Sequence, residues 1–264
     1  MMDQFKVWLL ALAGLCYVIA AVLRWRALAQ DAHAPRPWLL LATGITAHVC
    51  ATIMAVASSG AADFTYAALG SLLAALAMLV GTRFMAVHTP GLLLLPVGIM
   101  ACLVAVFAAV DRSYLSDDIE QRSLLFYVHI IFMSANLAAM LLASAAAGLY
   151  LAVSWQLKAA SHRALRLPQL PPLAHLAQRS LLVALAMQLG GVVSGAVAIH
   201  PESDFSPWHP TVILACVAII VMLFLLSVHA LQRIGWRGLC WGIMVLLMVE
   251  VAALVTLMMV DAHG

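Results

Sequence analysis

The chain has 264 residues, 66% of them hydrophobic and 9% charged, with a formal net charge of +2 and a mean hydropathy of +1.07. That composition excludes a soluble globular domain and gives no basic surface for nucleic acid. It leaves an integral membrane protein whose solvent is lipid.

Eight apolar runs long enough to cross about 30 Å of hydrocarbon are predicted at 5–23, 39–58, 64–82, 91–110, 124–153, 176–199, 210–231 and 239–260. The alternating Val, Ile and Thr pattern of a membrane barrel is absent, so the spans are predicted as helices in one all-α domain covering 1–264. In the first, Ala11-Leu12-Ala13 imitates a signal-peptidase site, but the apolar stretch before it is short and Arg24 and Arg26 follow the span. An uncleaved anchor is expected.

The second span carries His48 near its middle, with Gly44, Ala51, Thr52 and Ala55 on the same helical face. An imidazole is expensive in hydrocarbon and needs a reason. The small neighbours leave space for a heme plane or for a neighbouring helix with a hydrogen-bonding group. After the acidic loop 111–123, the fifth span opens with His129, and Met133, Asn136 and Met140 share its face. Trp155, Gln156 and Lys158 extend that helix before an inner loop, 155–175, where Pro168, Pro171 and Pro172 stop it. His175, like His33, His88 and His162, reads as a loop residue without metal-ligand spacing.

Gly190, Gly191 and Gly195 in the sixth span give a small-residue surface for close helix packing or for a flat ligand. His200, Trp208 and His209 lie in the next outer loop, and His263 lies near the C-terminus. His229 ends the seventh span, just before Arg233 and Gly235-Trp236-Arg237-Gly238. Midway along the eighth, Glu250 is the one carboxylate well inside a span. It is a candidate partner for a histidine ring, or a protonated acid bonded to backbone. All five cysteines fall in spans without a Cys-x-x-Cys pair, which points to packing.

Loops one, three, five and seven carry Arg24, Arg26, Arg36, Arg83, Lys158, Arg163, Arg166, Arg179, Arg233 and Arg237, while most acids fall on the other side. Cationic loops are retained in the cytoplasm, so both termini are expected outside. By helical rise, His48 and His229 then lie roughly 15 and 9 Å from the inner edge. No catalytic elbow, phosphate loop or His-Glu-x-x-His occurs, and no enzymatic turnover is expected. No internal repeat suggests an inverted-repeat transporter.

Leu92-Leu93-Leu94-Leu95-Pro96, Val128-His129, Gln156-Leu157-Lys158, Pro171-Pro172, and His229 followed by Gly235-Trp236-Arg237-Gly238 occur in this order and on consistent membrane sides. In these pieces the chain resembles the cytochrome c assembly membrane proteins of the CcsA and HemX type, in their short branch. The resemblance implies a multi-pass protein of the bacterial inner membrane that handles heme b, with cytochrome c assembly proteins or heme enzymes as partners beside membrane lipid. It matches His129 to the family's external histidine and His229 to its transmembrane histidine. His48 stands where short members carry a histidine, and His263 is a weaker match to a second external one. Longer members carry a tryptophan-rich heme-presenting run in the corresponding outer loop, whereas here that loop is short and retains only Trp208-His209-Pro210. Two other readings stay open: a scaffold for heme-biosynthesis enzymes that docks through the basic inner loops, and a small-molecule or proton-coupled transporter that uses Glu250.

Overall fold

The computed structural model describes residues 2–30, 38–57, 62–84, 93–110, 124–159, 169–198 and 210–260. It is all-helical. The helices are α1 (Met2–Gln30), α2 (Trp38–Ala57), α3 (Ala62–Phe84), α4 (Leu95–Val110), α5 (Leu124–Ala159), α6 (Leu170–Ala198), α7 (Pro210–Ala230) and α8 (Trp236–Val260). Among the described residues five stretches are both long and apolar enough to cross a membrane: Gln4–Arg26, Leu39–Ala57, Tyr127–Lys158, Leu170–Val197 and Val212–Ala230. Shorter apolar helices cover Ala67–Leu79 and Leu95–Val106. Trp8, Leu39, Ile53, Val193, Phe224 and Met248 are exposed on the outside of the bundle. In water such a surface would drive association, whereas lipid covers it without cost. The chain is a multi-pass membrane protein.

The long helix α5 is the spine. One stripe of it, Leu137, Leu141, Ala145, Leu149 and Val153, packs into a core shared with α1 to α4. Another, Met140, Ala143, Ala147 and Leu151, packs with α6, α7 and α8. The recurrence at three and four residues puts each stripe on its own side of the helix. Alanine dominates both cores, and small side chains let backbones approach closely where no hydrophobic force draws helices together. A close crossing joins α1 to α4: a Cβ on Gly14 would stand 2.7 Å from the Gly98 carbonyl oxygen and 2.6 Å from Cys102 Sγ.

The inner loop differs from expectation. Helix α5 continues to Ala159 and α6 begins at Leu170, so Pro171, Pro172 and His175 are helical. The first N–H groups of a helix have no intrahelical acceptor, so proline there removes nothing and its fixed φ suits the start. These prolines open α6 instead of lying in the loop.

The turn between α7 and α8 is closed by a Schellman arrangement. The N–H of Arg233 donates to the Val228 carbonyl at 3.0 Å and that of Gln232 to the His229 carbonyl at 2.9 Å. Gln232 occupies the left-handed position with φ 56°. Glycine usually fills that place because a Cβ is strained there.

Candidate functional site

His229 is set by this turn. Its Nδ1–H donates to the carbonyl of Ile234 at 3.1 Å. That bond fixes the tautomer and leaves the Nε2 lone pair free of any hydrogen bond among the described residues. Trp236, in the first turn of α8, stacks beside the imidazole with ring centroids 4.5 Å apart and a tilt of 55°. On its other neighbour, Trp236 meets the edge of His175 from α6 at 4.9 Å and 77°. Two imidazoles therefore share one indole. His175 and Arg179 stand one turn apart on α6, and both are exposed, as are Arg233 and Arg237. This end of the bundle presents imidazole, indole and guanidinium groups together.

His129 occupies the opposite end of the α5–α6 hairpin. Its Nδ1–H donates to the Gly191 carbonyl at 2.7 Å. The ring lies on Gly195, where a Cβ would stand 2.9 Å from both Cε1 and Nδ1. One turn along, Phe132 covers Gly190 and Met133 covers Gly191, each approaching the missing Cβ at 2.6–2.7 Å. The three glycines thus serve helix packing, and the groove they make is filled by α5 side chains. The bond uses a carbonyl already in the α6 ladder, and carbonyl oxygens have a second lone pair. His129, like His229, keeps Nε2 free of hydrogen bonds among the described residues.

His48 is held differently. It is fully buried (0% exposed). Its Nε2–H donates to the Ala68 carbonyl at 3.2 Å and lies 3.1 Å from Ser71 Oγ, whose own proton goes to the Ala67 carbonyl at 2.7 Å. The opposite tautomer follows: Nδ1 is the acceptor, and it faces the Tyr17 hydroxyl at 3.4 Å. One imidazole thereby ties α2 to α3 and α1. The space over Gly44 holds the Tyr17 ring, 2.9 Å from where a Cβ would be.

Asn136 on α5 is fully buried and neighbours the Glu250 carboxyl group on α8. Among the described residues no hydrogen bond completes either amide atom of Asn136, Oε1 of Glu250 or Oε1 of the buried Gln188 on α6.

The structure therefore joins His229 to Trp236 and His175, His129 to the α6 glycines, His48 to Tyr17 and Ser71, and Asn136 to Glu250. Among the described residues no ring contact or hydrogen bond links His48, His129 and His229 to one another, and no three His, Cys, Asp or Glu side chains gather as a metal site. Trp208, His209 and His263 lie outside the described residues. Sequence reasoning set His175 aside and passed over Gln188 and Tyr17. For His175 the available signal was its i, i+4 spacing to Arg179 just after a proline pair that can start a helix. Gln188 could be found as a lone carboxamide inside an apolar run.

Compared with protein-family models, curated proteins and solved structures, the chain finds no match.

Proposed function

We propose that this chain binds and hands on heme in a bacterial inner membrane, in support of c-type cytochrome assembly, through eight spans with both termini on the outer side. The observation that carries the reading is the shared state of His129 and His229. Each donates Nδ1–H to a backbone carbonyl, at 2.7 and 3.1 Å, and each leaves Nε2 without a hydrogen bond among the described residues. An imidazole that ligates iron through Nε2 is oriented in this way by a hydrogen bond at its other nitrogen. The two rings belong to opposite ends of their helices, as acceptance at one face and release at the other require.

The surroundings of His229 fit a porphyrin better than a bare ion. Trp236 offers an apolar π-face, and Arg179, Arg233 and Arg237 offer guanidinium groups suited to carboxylates such as heme propionates. His175 supplies a second imidazole on the same indole. Heme is the cargo in this reading, with iron held by one or two imidazoles. His48 belongs to the helix packing, since both of its ring nitrogens already have partners. The charge pattern of the loops and the resemblance of His229 with Gly235-Trp236-Arg237-Gly238 to the cytochrome c assembly family support the same reading.

The test is a pyridine hemochrome assay on protein purified from heme-replete cells. Wild type is expected to carry a Soret band and extractable heme b. His129→Ala and His229→Ala are expected to lower the heme content, while a folded His48→Ala protein keeps it. A colourless wild-type protein that cannot be loaded with added hemin would overturn the proposal.

A further inference from the structure

Buried polar atoms without a hydrogen-bond partner among the described residues come from three helices that pack on one another, α5, α6 and α8. Asn136 is 0% and Gln188 1% exposed. Both amide atoms of Asn136, Oε1 of Gln188 and Oε1 of Glu250 lack a hydrogen-bond partner among the described residues. The hairpin register aligns the first two. Met133 lies on Gly191, and one turn further into the bundle from each come Asn136 on α5 and Gln188 on α6. Glu250 enters from α8, which packs against both helices, and its carboxyl group neighbours the Asn136 side chain without a hydrogen bond to either amide atom. Helix packing alone does not call for this. Burial of an unsatisfied amide or acid costs free energy, and in a membrane core such groups mark a functional site.

We propose that Asn136, Gln188 and Glu250 hold one monovalent alkali cation within the bundle. Three of the unpartnered atoms are oxygens from three helices, and uncharged and carboxylate oxygens are hard ligands that suit alkali and alkaline-earth ions. The cluster contains no imidazole or thiolate to favour a transition metal. Charge decides between the remaining ions. One carboxylate neutralises one positive charge, whereas a divalent ion would leave net charge in hydrocarbon. A bound cation would also tie α5, α6 and α8 together, about two turns along α5 from His129. The inference does not rest on the heme reading, because it uses neither histidine ring.

The experiment is equilibrium binding of radioactive sodium to the purified full chain in choline buffer, with thermal unfolding in sodium, potassium and choline chloride at equal ionic strength. Wild type is expected to bind sodium saturably, at one ion per chain, and to unfold at a higher temperature in an alkali salt than in choline. Glu250→Gln, of equal size, is expected to abolish both effects, and Gln188→Leu to weaken binding. Circular dichroism and monodisperse elution establish that each variant is folded. Absence of saturable binding to the folded wild type would overturn the proposal without recourse to any variant. So would binding that survives both substitutions, or an unfolding temperature indifferent to the cation, as expected if water or a proton alone fills the cluster.

Discussion

Replacing Gly195 by alanine displaces His129 without removing it. A Cβ there stands 2.9 Å from Cε1 and Nδ1 of the imidazole, closer than side-chain carbons approach. The ring must move, and its 2.7 Å bond to the Gly191 carbonyl is strained or lost. Overpacking costs about 1–3 kcal/mol, and the hydrogen bond contributes about 0.5–1.5 kcal/mol net. Against these, alanine improves the helix by roughly 0.5–1 kcal/mol. The net expectation for Gly195→Ala is a loss of about 1–3 kcal/mol. In a His129→Ala background the obstructing ring is gone and only the helix gain remains, so the same substitution becomes neutral or stabilising. A double-mutant cycle by reversible unfolding in mixed micelles reads the coupling, expected at about 2 kcal/mol or more. Additivity within about 0.5 kcal/mol would refute the placement of His129 on Gly195.

Three further outcomes are expected from the same unfolding assay. Gln232→Gly relieves the left-handed residue of the α7–α8 turn (φ 56°) and should stabilise by about 1 kcal/mol; destabilisation would contradict the Schellman geometry. Gly14→Ala should destabilise severely, by about 3 kcal/mol, because its Cβ meets the Gly98 carbonyl, whereas Gly148→Ala, with nothing nearer than Met244 Sδ at 3.7 Å, should be neutral or mildly stabilising. A reversed order would contradict the close approach of α1 and α4 at Gly14. Ser71→Ala and Tyr17→Phe should each cost about 0.5–1.5 kcal/mol in wild type and much less once His48 is replaced by alanine, since both act through that ring.

The helices were legible from hydropathy: among the described residues α1 to α8 occur in the order of the eight predicted runs, and five of them hold a stretch long and apolar enough to cross a membrane. Their ends were less so. Pro171 and Pro172 look the same in sequence whether they end a loop or open a helix, and only the packing of Leu173 and Ala174 into the bundle decides that they open α6. The candidate histidines were found from the cost of an imidazole in lipid. Their tautomers were not, because the acceptors are carbonyls of Gly191, Ile234 and Ala68, and every residue has a carbonyl. For His48 the sequence offered a cavity or a neighbouring helix; Tyr17, thirty-one positions away, fills that space. The His175–Trp236–His229 group depends on how three helix ends meet, which no local pattern encodes.

The central claim is that His129 and His229 present Nε2 to heme iron. Its most direct test is the visible spectrum, with hemochrome quantitation, of hemin-reconstituted wild type beside His229→Ala with imidazole added back. The account predicts a low-spin heme spectrum in wild type, its loss or change to high spin in the variant, and recovery with exogenous imidazole. A spectrum identical in wild type, His129→Ala and His229→Ala, or no heme uptake by the folded wild type, would contradict it.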